Sequence, residues 1–191
     1  MHKAKNRTTV TVATMLVVAL GILSFYFYWS FRSVPLEGTS EKNMTEAERL
    51  LNLDLEEAYP ETPREVVKLF GSMTKVIYDN PSDEEVKELA IKIRELYDDE
   101  FLAINPEETY LMNLYSDIAA WKEKKRRIST YYLVKQDQEQ RKELEGREYA
   151  TVFISYTIQE NTKISETWKV MLRQNENHQW KILGWQIEPE E

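Results

Sequence analysis

The sequence holds no cysteine. Disulfides, thiolate metal sites and cysteine nucleophiles are excluded together, and any fold outside the cytoplasm must be held by its core alone. Histidine is nearly as scarce. His2 stands beside the N-terminus and His178 in a polar turn, so no histidine pair can build a triad or a histidine metal site. The five glycines (Gly21, Gly38, Gly71, Gly146, Gly184) are scattered, which leaves no glycine-rich loop to cradle a phosphate. The aspartates lack the spacing of a calcium loop. Carboxylate pairs such as Glu84-Glu85 and Asp98-Asp99 fall on helix faces expected to meet water, where nothing would raise their pKa for acid–base work. No metal and no cofactor is expected.

Acid is missing from the first 32 residues, which carry Lys3, Lys5, Arg7 and Arg32 for a net +4. The whole chain is at −8, so taking away that +4 leaves −12 on residues 33–191. A region that acidic repels nucleic-acid phosphate, and nucleic acid is not an expected partner. Charge of either sign is missing from residues 10–31, VTVATMLVVALGILSFYFYWSF, a run of 22. As a helix it reaches ~33 Å, enough for a hydrocarbon core of ~30 Å. Basic residues precede it, so the positive-inside rule puts residues 1–9 in the cytoplasm and residues 33 onward outside. Phe25, Tyr26, Phe27, Tyr28 and Trp29 fall at the outer end, where amphipathic rings prefer the headgroup interface. The run ends in bulky aromatics and Arg32 instead of a small-x-small cleavage site. These features predict an uncleaved single-pass anchor in the plasma membrane, with the lipid bilayer as its partner. Residues 32–43 (RSVPLEGTSEKN) have no apolar period and read as a tether. The 191 residues then leave one domain, 44–191.

That domain begins with helix starts. Thr45 with Glu48, Thr62 with Pro63 and Glu65, and Ser82 with Glu85 are capping-box pairs; Asn105, Pro106 and Glu108 give a fourth start. Apolar stripes at helical spacing follow: Val66, Val67, Phe70, Met73, Val76, Ile77; then Val86, Leu89, Ala90, Ile93, Leu96, Tyr97; then Tyr110, Leu111, Leu114, Tyr115, Ile118, Trp121. All three read as core. The basic run 122–127 falls at the end of the fourth helix, where it offsets the helix dipole.

After Arg127 the period changes to two. Strands are predicted over 128–135, 149–159, 163–173 and 180–187, with Ala150, Val152, Ile154, Tyr156 and Ile158 on one face of the second. In the third, Ile164, Trp168, Val170 and Leu172 share a face, with Glu166 the exception. Short polar turns make the last three an antiparallel meander, and the charged segment 136–147 reads as a mobile loop. The fold class is α+β: about four helices packed on a four-stranded antiparallel sheet.

The closing segment Asn177-His178-Gln179-Trp180-Lys181-Ile182-Leu183-Gly184-Trp185 resembles the last strand of nuclear transport factor two-like domains. The resemblance implies a curved sheet wrapped into a cone. It also departs from that pattern, because no strand is predicted before residue 128, so a plain meander stays open beside the cone. Nearly the full chain, through Thr62-Pro63-Arg64-Glu65-Val66-Val67-Lys68, is similar to an uncharacterised family of clostridial membrane-anchored proteins. The similarity implies a bacterial location, and that family has no established activity to carry over.

Some cone-fold enzymes use a tyrosine and a carboxylate inside the cavity for proton transfer. By that resemblance Tyr131, Tyr132, Tyr156 and Glu166 would supply such groups, although strand tyrosines are more often half-buried packing residues. The residues expected to line a pocket, if the sheet forms one, are Tyr132, Tyr156, Glu166, Trp168 and Trp185. Two readings follow: a non-catalytic extracytoplasmic module binding a protein, peptide or other cell-envelope component, or a cone with a small-ligand pocket or isomerase-like activity. An aromatic-lined cavity favours the second, and a filled core with an exposed apolar patch the first.

Overall fold

A computed structural model describes residues 44–79, 81–135 and 140–189. The expected tail 1–9, anchor 10–31 and tether 32–43 lie outside them. Among the described residues no helix is long and apolar enough to cross a membrane.

Three of the capping signals form as read. The side chains of Thr45, Thr62 and Ser82 each accept from the backbone N–H three residues on. The carboxylates of Glu48, Glu65 and Glu85 accept in return from the cap backbone. They open α1 (Glu46–Leu51), α2 (Pro63–Ile77) and α3 (Asp83–Ile93). The fourth start differs. A short α4 (Asp99–Ile104), opened by Asp98, precedes it, and Asn105 closes that helix by donating from Nδ2 to the Phe101 carbonyl. The last helix, α5 (Glu107–Glu123), therefore begins after Pro106 with no side-chain cap. The stripe that was to run to Tyr97 as one helix breaks at Ile93 into a 3-10 turn, Arg94–Leu96, yet Leu96 and Tyr97 stay buried.

Five strands follow: β1 (Arg127–Leu133), β2 (Gln140–Leu144), β3 (Arg147–Gln159), β4 (Lys163–Gln174) and β5 (Trp180–Ile187). They form one antiparallel sheet in the order β1-β3-β4-β5, and β2 pairs with the first half of β3 on the edge that β1 shares. The expectation of a mobile loop over 136–147 is corrected here for residues 140–147. All five β2 residues are exposed, so no alternation could mark the strand; besides its ladder with β3, Arg141 lies 5.5 Å over the Trp180 ring. The readable signal was the two-residue turn Glu145-Gly146, with φ of 54° and 75°, the conformation that joins twisted strands most directly. Among the described residues no strand precedes β1; only a parallel bridge from Tyr97 to Ile182 covers the outer edge of β5.

Two bulges decide which side chains face the helices. In β1 the register slips between Ile128 and Thr130, so that Tyr131 pairs with Tyr156 and Leu133 with Ile154. Across β4 and β5 it slips again: Leu172 opposes Ile182, Met171 opposes Gly184, and Val170 opposes Trp185. Gly184 sits there at φ 151°, where a side chain would be strained. The inner face thus reads Trp180, Ile182, Trp185 along β5, with one extra residue inserted.

α2 lies across β1 and β3, and α1 and α3 pack beside it. Gly71 permits the close approach: a Cβ there would come within 2.4 Å of Ile154 Cδ1 and 3.0 Å of the Tyr131 ring. Buried between these layers are Val67, Phe70, Met73, Leu89, Ile93, Ile154, Ile158, Val170 and Leu172, each worth about 1.5–3 kcal/mol of apolar transfer. Residues Thr45–Glu191 form one compact unit.

Candidate ligand pocket

The helices do not fill the space over the sheet completely. α5 packs against α3 and faces Trp168 and Trp185 of the sheet across a gap. The gap is a cavity of about 280 Å³. Phe70 and Thr74 of α2 line it together with Tyr78, Tyr97, Phe101 of α4, Tyr110 and Leu114 of α5, and Trp168 and Trp185 of the sheet. Seven of these side chains are aromatic. Their rings are set at steep angles: Phe70 lies 5.1 Å from Trp185 at 48°, and Phe101 lies 5.5 Å from it at 78°. Trp168 and Trp185 are the exception, parallel within 2° at 5.9 Å. These spacings fall in the range where ring pairs stabilise each other.

Polar groups are few. Asn105, Asn113 and Asp117 complete the wall, and the Tyr78 hydroxyl donates to Asp117 Oδ2. Burial, and then that hydrogen bond, push the Tyr78 phenol up. Burial likewise raises Tyr97 and Tyr110. All three are neutral phenols in ordinary buffers.

A second cavity of about 220 Å³ adjoins the first and shares Tyr78, Asp117 and Trp168 with it. Trp121, Arg126, Ile128, Glu166 and Ile187 supply the remainder. Glu166 accepts a hydrogen bond from Trp168 Nε1 at 2.6 Å, which fixes the indole that both cavities share. Arg126 lies 4.6 Å over the Trp121 ring and 3.7 Å from a Glu160 carboxylate oxygen.

The five residues expected at a pocket separate accordingly. Trp168 and Trp185 come together in the larger cavity and Glu166 reaches the smaller. Tyr156 lies between, 4.9 Å from Trp168, but it is fully buried in the core and lines neither cavity. Its hydroxyl finds no partner of good hydrogen-bond geometry among the described residues, although Thr74 is close enough to interact. Burial drives that phenol up, away from the neutral range where a general base works. Tyr132 is a correction. Strict alternation from Ile128 puts it inside, but the bulge between Ile128 and Thr130 turns Tyr131 inward instead, and Tyr132 is 55% exposed on the opposite face. Sequence reasoning missed Phe70, Tyr97, Phe101 and Tyr110 as lining residues. Phe70, Tyr97 and Tyr110 read as ordinary core at helical spacing and Phe101 belongs to no stripe, so only the stand-off of α5 reveals them.

Against known proteins, the pattern of a domain family of unknown function matches residues 1–185. The chain belongs to that family, DUF6715. No curated protein matches it. Among solved structures it is similar to the crystal structure of CagV, a VirB8 homolog of T4SS from Helicobacter pylori strain 26695, at 13% identity over 66% of this chain and 98% of that one. The TM-score is 0.39, and a likeness of that size carries no argument about function. The family match begins before the uncharged run and ends inside the last strand, so both belong to one family unit.

Proposed function

We propose that this DUF6715 domain is a non-catalytic binding module that takes a small, largely apolar ligand into the cavity under α4 and α5. The observation that carries the reading is the aromatic wall itself. Seven rings line about 280 Å³ of space in a cleft that opens to solvent beside the exposed Asn113 and Asp117. The volume exceeds the ~150 Å³ cavity that accepts benzene and lies just below the usual range of ligand sites, ~300–1,000 Å³. A small molecule fits it and a folded partner does not. The bulges in β1 and across β4 and β5 bend the sheet, which supports a cone-like wrap around the helices.

The uncharged run 10–31 and its basic flank support placing this module outside the cytoplasm on a single-pass anchor. There the pocket would meet ligands of the cell envelope.

Thermal unfolding of the full chain in a maltoside detergent, followed by its own fluorescence, tests the pocket. The panel consists of small anionic, neutral and cationic compounds with an apolar body. A ligand at a hundred times its Kd adds ~2.7 kcal/mol, which for a chain of this size raises Tm by ~5–11 °C. At least one compound is expected to do so, and to lose the effect in Trp185→Leu. A flat panel contradicts the reading.

A further inference from the structure

The cavity's charge is one-sided. Among the described lining residues there is no Lys, Arg or His, and the single charged side chain is Asp117. The tyrosines of the wall stay neutral, because burial holds their phenols well above their ordinary pKa. The same wall holds seven aromatic side chains, one of them, Tyr78, donating to that carboxylate and two of them the indoles Trp168 and Trp185, the ring type that attracts a cation best. The fold already uses this attraction beside the site: the Arg94 guanidinium lies 5.2 Å over the Tyr110 ring, and Arg126 lies 4.6 Å over Trp121. Each of those cations has another neighbour, although Arg126 Nε makes no hydrogen bond among the described residues. Arg94 donates to the Asn105 carbonyl at 2.9 Å, and Arg126 faces Glu160. Neither lines the larger cavity; Arg126 and Asp117 both border the smaller one, but no ion pair joins Asp117 to a cation among the described residues.

We propose that the cavity is selective for a small organic ammonium ion, whose apolar substituents fill the aromatic box while its charge is balanced by Asp117. This rests on the pocket reading above and names its ligand class. An anion would face the carboxylate and the negative faces of the rings without a balancing cation in the wall. A neutral apolar molecule would gain the contacts but leave the carboxylate unused. A compact hydrated cation such as sodium would lose water for rings that hydrogen-bond poorly, whereas an alkylated ammonium gives up little hydration on leaving water. Size sets the other limit, since about 280 Å³ accepts a headgroup-sized ion and excludes a peptide.

The test compares choline with 3,3-dimethyl-1-butanol, its uncharged isostere, by quenching of tryptophan fluorescence in the full chain in maltoside. Choline is expected to bind at least tenfold more tightly. Asp117→Asn is expected to remove most of that preference, bringing the affinities for the two compounds close together. Asp117 is exposed, so the substitution leaves the core intact, and the thermal midpoint of the free variant checks this. Equal affinities for the two compounds would overturn the ammonium assignment and leave the pocket standing. Binding of neither would overturn both. Undiminished selectivity in Asp117→Asn would overturn the role of that carboxylate and the assignment with it.

Discussion

Asp98→Ala is expected to remove about 3–5 kcal/mol of folding stability, the usual consequence of stranding one half of a buried ion pair. Arg173 donates from Nε to Asp98 Oδ2 at 3.1 Å and from Nη2 to Oδ1 at 2.6 Å, a two-pronged pairing. Asp98 is 3% exposed and Arg173 9%, so most of each group is withdrawn from water, although both border an open polar cleft. Glu100 takes a third guanidinium proton at 2.9 Å, but it is largely exposed and replaces little of the loss. Asp98 has two further tasks. Its carboxylate caps α4 by accepting from the Glu100 N–H, and its backbone N–H donates to the Ile182 carbonyl. The pair therefore locks the turn between α3 and α4 onto β4 and β5, beside the cavity. Urea unfolding measures the cost. A loss below about 1 kcal/mol, the level of an ordinary surface change, would show that the guanidinium is solvated in the free protein. Asp98→Asn keeps the cap but not the charge and should fall between wild type and Asp98→Ala. Replacing both partners by apolar residues of similar size should restore much of the loss, because no unpaired charge remains.

Phe70→Ala is expected to cost a similar ~3–5 kcal/mol, for a different reason. The ring is 1% exposed and lies under both indoles, 6.4 Å from Trp168 and 5.1 Å from Trp185. Deleting it removes the transfer energy of a phenyl group and opens new space next to space that is already empty. The neighbours that could collapse inward are held: Trp168 by its hydrogen bond to Glu166, and Trp185 by the bulge at Gly184. Phe70→Leu keeps part of the volume and should lose less. Equilibrium unfolding in urea checks both, and a cost for Phe70→Ala under about 1 kcal/mol would mean that the ring is not packed as described.

What the sequence made legible follows from which forces are local. Capping boxes depend on residues three apart, and all three read from the chain are formed at Thr45, Thr62 and Ser82. The inner face of β3 was legible because Ala150, Val152, Ile154, Tyr156 and Ile158 alternate without interruption, and all five are buried. The short α4 was not, since none of its residues is buried and no apolar stripe marks it. β2 was missed for the same reason. The bulges were the larger loss, because a bulge is one inserted residue and reverses every face beyond it. That inversion moved Tyr132 out and Tyr131 in. At β5 a glycine inside a strand was the available sign. The cavity itself could not be read at all. It exists because α5 stands away from the sheet, a property of how elements pack and not of any residue pattern. Trp168 and Trp185 could be named as candidates, but the sequence has no means of separating a ring that fills a core from one that borders a void.

The central claim, that the aromatic cavity binds a ligand, is tested most directly by the indole N–H resonances of the full chain. The chain has five tryptophans. Trp168 and Trp185 border the cavity, while Trp180 is 3% exposed at the other end of β5, where its carbonyl accepts from the Tyr59 hydroxyl. Saturation with choline or with 3,3-dimethyl-1-butanol should move the Trp168 and Trp185 signals and leave Trp180 in place. Unmoved signals for Trp168 and Trp185 under both compounds, or a response confined to Trp180, would contradict the account.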